Sequence, residues 1–214
     1  MNPDGAAVAR LVTAVATELL DARDSLNRLD GVAGDGDLGL TVTNAARALI
    51  ELAPSLEALM EADAIRRCGT EIARRAPSTG GTLIAFALMA AAKAEIADSA
   101  PAVERAARYL DAAAASVAQR GQVAPGDRTM LDALAPAADV VDRIALEGGA
   151  ATAAVREAAA AADQGAKATA SMSAKVGRAG WLAERAAGHE DAGARLVAMA
   201  FAAAANALGG GTRA

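Results

Sequence analysis

From the first residues onward, apolar positions recur at the three-and-four spacing of a single helical face. Over 6–23 that face is Val8, Leu11, Val12, Val15 and Leu19, a pattern that predicts an amphipathic helix. A glycine-rich interruption follows, "LNRLDGVAGDGDLGLTVTN" (26–44), before "LTVTNAARALIELA" resumes the helical period up to Pro54. "LEALMEADAIRRCGTEIARRA" divides into a short helix and a longer one. "PSTGG" at 77–81 breaks the pattern, and "TLIAFALMAAAKAEIA" is a strongly apolar helix. Pro101 suits the first turn of the next helix, "AVERAARYLDAAAASVAQR", which Gly121 closes. "APGDR" reads as a loop in which Asp127 caps "TMLDALAPAADVVDRIA". Gly148 and Gly149 separate that helix from "AATAAVREAAAAADQGAKATASM". A second irregular segment, "KVGRAGWLAERAAGHEDAGA", precedes the last helix, "ARLVAMAFAAAANAL".

About eight helices emerge from this periodicity, and β-branched residues never alternate as a strand requires. The connections are short and no repeat period is present. The expected fold is all-α, a single domain built as an antiparallel helical bundle or a closed helical ring, within the 214 residues of one compact unit. Hydrophobic residues make up 54% of the chain but aromatics only 2%. The core must therefore be Ala, Leu, Val and Ile, packed by close approach of helices with alanine faces. The net charge of −5, with both signs interspersed, gives no footprint for nucleic acid. Cys68, in an amphipathic run, reads as a buried thiol without a disulfide partner. Asp4, Arg10 and Glu18 interrupt any apolar leader. No uncharged apolar run reaches the roughly 18 residues of a membrane span. A cytoplasmic protein without a membrane partner is the expectation.

Polar and glycine-rich residues collect at 30–41, 77–82, 120–130 and 177–193. In an up-and-down arrangement alternate loops share one end, so these segments can converge. "GDGDLG" at 34–39 matches the dinucleotide fingerprint in letters, yet no strand precedes it, and Asp35 and Asp37 would repel a pyrophosphate. A calcium-binding EF-hand loop fails on spacing, because Asp30, Asp35 and Asp37 stand five and then two residues apart. Three carboxylates this close repel one another unless a divalent cation joins them, and hard oxygen ligands suit Mg²⁺, Mn²⁺ or Ca²⁺. The loop runs into a helix N-terminus near Leu40 and Thr41, where free N–H groups favour an anion. Together these read as a metal–phosphate site, although Asp-Gly loops also serve simply as turns and caps.

"PSTGGT" is a second candidate. Gly80 and Gly81 allow backbone N–H groups close to a phosphate, with Ser78, Thr79 and Thr82 as hydroxyl donors, while an ordinary N-cap at Ser78 or Thr79 is the plainer alternative. Arg178 is a third hint or a surface residue. His189, the single histidine, reads as a cap or a surface residue. Met130 and Trp181 are core residues or apolar walls against a flat ring.

Four segments occur in order: "DSLNRLDGVAGDGDLG" (24–39), "STGGT" (78–82), "GDRTMLDALAPA" (126–137) and "GRAGWLAERAAGHEDAGA" (177–194). Their order and spacing resemble the nucleotide-binding L subunit, a Dak2-type domain, of dihydroxyacetone kinase over residues 4–208, leaving 209–214 as a flexible tail. The resemblance implies an eight-helix antiparallel barrel with the nucleotide in the loops at one end. It implies two Mg²⁺ ions held by Asp30, Asp35 and Asp37 and bridging the phosphates of ADP or ATP. Leu38, Gly39, Leu40, Thr41, Ser78, Thr79 and Gly80 would meet phosphate. Gly121, Thr129, Met130, Arg178, Asp191, Ala192 and Gly193 would line the rest of the nucleotide. No catalytic residue is assigned in this chain. Four positions depart from the family pattern: Leu38 replaces a His, Gly180-Trp181 replace Ser-Tyr, and Ala192 replaces a Pro.

In such enzymes a separate K-type subunit or domain holds the ketose. The expected role is thus a phosphoryl-transfer subunit acting on dihydroxyacetone or a similar short ketose with a K-type partner. A phosphohistidine protein of a phosphotransferase system would recharge bound ADP. An ATP-dependent subunit, or a nucleotide-bound regulatory module, is the alternative.

Overall fold

A computed structural model of the chain describes residues 4–97, 99–176 and 183–209. Helices α1 (Gly5–Asp21), α2 (Arg23–Ala33), α3 (Leu38–Leu52), α4 (Glu61–Arg75), α5 (Thr79–Ala91), α6 (Ala102–Gly121), α7 (Leu131–Leu146), α8 (Ala151–Ala168), α9 (Ala183–Ala186) and α10 (Ala192–Gly209) follow in order, with short 3₁₀ turns at Ala53–Leu56 and Thr169–Ser171. No strand occurs among the described residues.

Eight of these helices close a ring. α1 packs on α3, α3 on α4, and so on through α5, α6, α7 and α8 to α10, which returns to α1. Successive ring helices run antiparallel, so the starts of α3, α5, α7 and α10 lie at one end, where Met130 meets Gly193 of α10 and Leu38 of α3 shares a core cluster with Ile84 of α5. There α2 crosses onto α3 and α10, and α9 rests on α2.

Alanine makes the close approach possible. Ala154, Ala158, Ala162 and Ala166 recur every fourth residue on α8, all buried, against Ala133 and Ala137 of α7 and Ala194 and Ala198 of α10. Such an i, i+4 ridge fits the groove of a neighbouring helix. Cys68 is buried at the base of a second cluster with Ala9, Leu56 and Ala64, and burial pushes its thiol up to about 11. At the end opposite the α3 start, Arg105 donates to Glu61, Asp4 and the Ala100 carbonyl, and the Tyr109 hydroxyl donates to Glu61.

Several sequence expectations are corrected. Residues 26–33 are helical, not loop, because Leu26 and Ala33 share a buried face while Gly31 points to solvent. α5 stops at Ala91 instead of continuing to 97, tightening through bonds from Lys93 N–H to Ala90 and from Ala94 N–H to Ala91. Pro101 precedes the first turn of α6 as its N-cap. Gly121 is still helical, and Gln122 takes the left-handed closing position at φ 52°. Asp127 does not cap α7, since its carboxylate accepts from Ala124 N–H and Lys175. Asp132, in the first turn of α7, instead reaches back to accept from Thr129 N–H at 2.7 Å, while Thr129 Oγ1 accepts from Leu131 N–H at 3.2 Å.

By length and composition α10 is apolar enough to cross a membrane. Here it is a ring helix between α8 and α1, and its Arg195 pairs with Glu190 and Asp163, both at 2.6 Å.

Candidate functional site

The last turn of α2 carries Asp30, and the four residues 34–37 carry Asp35 and Asp37. One carboxylate oxygen from each of the three lies within 4.8 Å of the others. Asp30 also accepts from Asp37 N–H at 3.1 Å, so helix and loop are tied across the cluster. Gly36 sits at φ +73°, a left-handed turn that brings the loop back beside Gly31. Beyond it Gly39 N–H donates to Asn27 Oδ1 at 2.6 Å. A Cβ on Gly39 would run into the Arg23 carbonyl and Asn27 Oδ1. The first turn of α3 is therefore pressed against α2, which brings Asp37 to Asp30. Three hard, anionic oxygens at this separation fit one or more divalent cations with open positions left for water or phosphate.

The anion side differs from expectation. α3 begins at Leu38, and the N–H groups of Leu40 and Thr41 both donate to the Asp37 carbonyl at 3.0 Å. The free donors expected there are engaged. At the start of α5, Ser78 is the N-cap and its Oγ accepts from Gly81 N–H at 3.0 Å, leaving its hydroxyl proton to donate. Thr79 and Gly80 N–H have no acceptor among the described residues, as the opening of a helix leaves them, and nothing stands within 4 Å of where a Gly80 side chain would begin. Two free backbone N–H groups and one hydroxyl thus gather at an open helix start, a donor set that suits an anion.

Leu38 is accounted for by packing. It lies against the buried cluster of Ala22, Leu26, Val42 and Leu196, together with Leu19, Ile84 and Met199. Its side chain thus belongs to this core cluster, which it shares with Ile84 of α5. Leu40 is the exposed residue of the pair, at 48%.

A third wall forms where α7 and α10 begin. A Cβ on Gly193 would stand 3.4 Å from Met130 Cβ and 3.1 Å from Asp191 Oδ1, so these expected neighbours do meet. Asp191 caps α10 by accepting from Ala194 N–H at 2.8 Å, and its own N–H donates to the buried Thr169 Oγ1 at 2.8 Å. Burial pushes its carboxyl up to about 6, opposed by the Ala194 N–H and the Arg128 charge. Ala192 is buried in the first turn of α10. Gly121, the last residue of α6, shares this end by topology alone. Arg178 and Trp181 lie outside the described residues. His189 is exposed, and its carbonyl accepts from Arg128 at 2.8 Å.

Four contributors went unassigned in the sequence reading. Asn27, Arg128 and Asp132 stand inside recognised segments, and "TMLD" carries the Thr-x-x-Asp signal of a capping box. Thr169 had no signal, because only the fold brings it to Asp191.

Comparison with known proteins agrees with this fold. The family model of the DAK2 domain matches residues 32–206. The D-erythrulose kinase of Mycolicibacterium smegmatis is 37% identical over 205 residues, covering 92% of this chain and 35% of that protein. The ADP-binding subunit DhaL of the PEP-dependent dihydroxyacetone kinase of Escherichia coli is 28% identical, covering 80% of this chain and 82% of that subunit. The crystal structure of the C. freundii dihydroxyacetone kinase in complex with AMP-PNP and Mg²⁺ superposes with a TM-score of 0.72 at 29% identity, over 96% of this chain and 34% of that one. The chain thus spans about a third of the length of its first curated relatives. With the ring, the loop order and the family model in accord, the chain belongs to the DAK2 domain family.

Proposed function

We propose that this chain, as a Dak2-type domain over residues 4–208, is the nucleotide-binding phosphoryl-transfer component of a kinase for dihydroxyacetone or a similar short ketose. The observation that carries the reading is the convergence of Asp30, Asp35 and Asp37 oxygens within 4.8 Å at the ring end that also holds the open α5 turn. Asp30, Asp35 and Asp37 would hold two Mg²⁺ ions, which when bound offset the negative charge of a nucleotide's phosphates. Thr79 and Gly80 N–H and the Ser78 hydroxyl donate to phosphate oxygens. Leu38, Gly39, Leu40 and Thr41 set the first turn of α3 beside them. Met130, Thr129, Gly121, Arg178 and the Asp191–Gly193 segment line the nucleoside side. The chain's contribution is orientation and charge neutralisation, with ADP or ATP as the phosphoryl carrier.

A K-type partner supplies the ketose. The similarity to an ADP-binding subunit along most of that subunit's length supports a phosphohistidine donor that recharges bound ADP in the cytoplasm. The test is release of bound small molecules from the purified chain by denaturation, followed by mass spectrometry and an exchange assay. Tight ADP that added ATP does not exchange is the expected result. Rapid exchange favours the ATP-dependent kinase, and no nucleotide binding in the presence of Mg²⁺ overturns the reading.

A further inference from the structure

Among the described residues Arg128 makes no hydrogen bond to the carboxylate cluster or the α5 turn, yet the wall formed by α7 and α10 is assembled around it. The residue is 3% exposed. A guanidinium stays charged in a protein interior, so burying one is costly unless its surroundings are arranged for it. Its Nη2 donates to the Ala186 carbonyl at 3.1 Å and the His189 carbonyl at 2.8 Å, with Glu190 O at 3.5 Å. It therefore gathers the end of α9 and the connection into α10. Its Nε is buried without a partner among the described residues.

The backbone at this position sharpens the argument. Arg128 sits at φ +63°, a left-handed conformation that glycine adopts without penalty and that costs other residues about 1 kcal/mol or more. Glycine here would relieve the backbone and lose the side chain. The residue stands two positions before Met130 and in the loop braced by Asp132, whose carboxylate accepts from Gly126 and Thr129 N–H. On the opposite side its charge favours the ionised form of Asp191, which is anchored through its N–H to Thr169. One side chain thus links the 124–130 loop to the 186–191 loop, and Met130 and Gly193 meet at the junction.

We infer that Arg128 is a positioning residue for the nucleoside side of the site, holding the Met130 wall against the Asp191–Gly193 turn through its bonds to the 186–190 carbonyls. This rests on the nucleotide-binding reading proposed above. It separates two parts of one ligand: the phosphates, met by α2, α3 and α5, and the nucleoside, met by the wall that Arg128 assembles.

The test compares Mg²⁺-ADP with Mg²⁺-pyrophosphate by calorimetry on the full chain and on Arg128→Gln and Arg128→Lys. Pyrophosphate keeps the phosphates and lacks the nucleoside. Loss of a charged hydrogen-bond anchor predicts ADP binding weaker by about tenfold in Arg128→Gln, with partial rescue in Arg128→Lys and pyrophosphate binding unchanged in both. Should Arg128→Gln fail to fold, Arg128→Lys and Thr169→Val, which removes the acceptor for Asp191 N–H, read the same pair of affinities. Unchanged ADP affinity in folded variants, or parallel weakening of ADP and pyrophosphate, overturns the assignment while leaving the nucleotide site intact. Failure of the unsubstituted chain to bind Mg²⁺-ADP overturns the functional reading, and the role of Arg128 with it.

Discussion

Asn27 Oδ1 accepts the Gly39 N–H at 2.6 Å across the carboxylate loop. This bond joins the helix that carries Asp30 to the helix that follows Asp37, and so sets the separation of two of the three carboxylates. Asn27→Ala should cost about 1 kcal/mol of stability, the usual worth of a capping bond. Gly39→Ala should cost more, about 1–3 kcal/mol, because its Cβ meets the Arg23 carbonyl. Urea titration measures both, and Mg²⁺ binding should weaken in each.

The carboxylates themselves give a ligand-linked prediction. A nucleotide at about one hundred times its dissociation constant stabilises a protein by about 2.7 kcal/mol. Mg²⁺-ADP should raise the melting temperature of the unsubstituted chain and leave that of Asp35→Ala unmoved. An equal rise in the variant would remove Asp35 from the site.

Asp191 imposes a pH dependence. Its carboxyl is raised from 3.8 to about 6 in the fold, chiefly by burial. The folded state therefore holds a proton that the unfolded chain releases between these values. The stability from this group is complete below about 4 and lost as pH rises through about 6. Asp191→Asn keeps a side-chain acceptor for Ala194 N–H and has no charge to lose. Melting temperatures of the variant should vary less than those of the parent between these pH values.

The opposite end of the ring provides a control. Arg105 is a quarter exposed and bonds Glu61 and Asp4, so Arg105→Ala should cost about 1–2 kcal/mol after allowance for solvent screening. Nucleotide affinity should stay unchanged, because this network lies away from the α3 and α5 starts. Tyr109, the single tyrosine, reports on the same network. Burial, then the charge and hydrogen bond of Glu61, push its hydroxyl up to about 12. Ultraviolet titration should show the phenolate forming well above the ordinary value of 10, and at lower pH in Glu61→Gln. The stability tied to this shift is present below about 10 and lost as pH rises through about 12.

Cys68 should resist modification in the folded chain. Its thiol is 1% exposed and raised to about 11, which removes both access and thiolate. A thiol reagent should react at the rate of unfolding, and Mg²⁺-ADP should slow it further.

Periodicity and glycine breaks were enough to read most helices and the order of the loops, because both are local properties of the chain. The gathering of the three aspartates was legible too, because Asp30, Asp35 and Asp37 lie close in sequence, and one oxygen of each comes within 4.8 Å of the others. What failed was local competition. Residues 26–33 looked like loop for their Asp and Gly content, yet the buried face of Leu26 and Ala33 prevailed and put Asp30 on a helix. Asp127 looked like the cap of α7 by proximity, while Asp132 reached back from inside the helix.

The sequence by itself determined the alanine faces, the helical segments and the aspartates. These follow from side-chain volume, spacing and charge within one stretch of chain. Only the tertiary structure decided that the ring closes through α10 and α1. It also decided that the Leu38 side chain packs into the core, because its neighbours Leu196 and Ile84 come from two other helices. The same holds for Arg128: its role depends on carbonyls some sixty residues away, and no local pattern encodes a contact that exists only after the ring has formed.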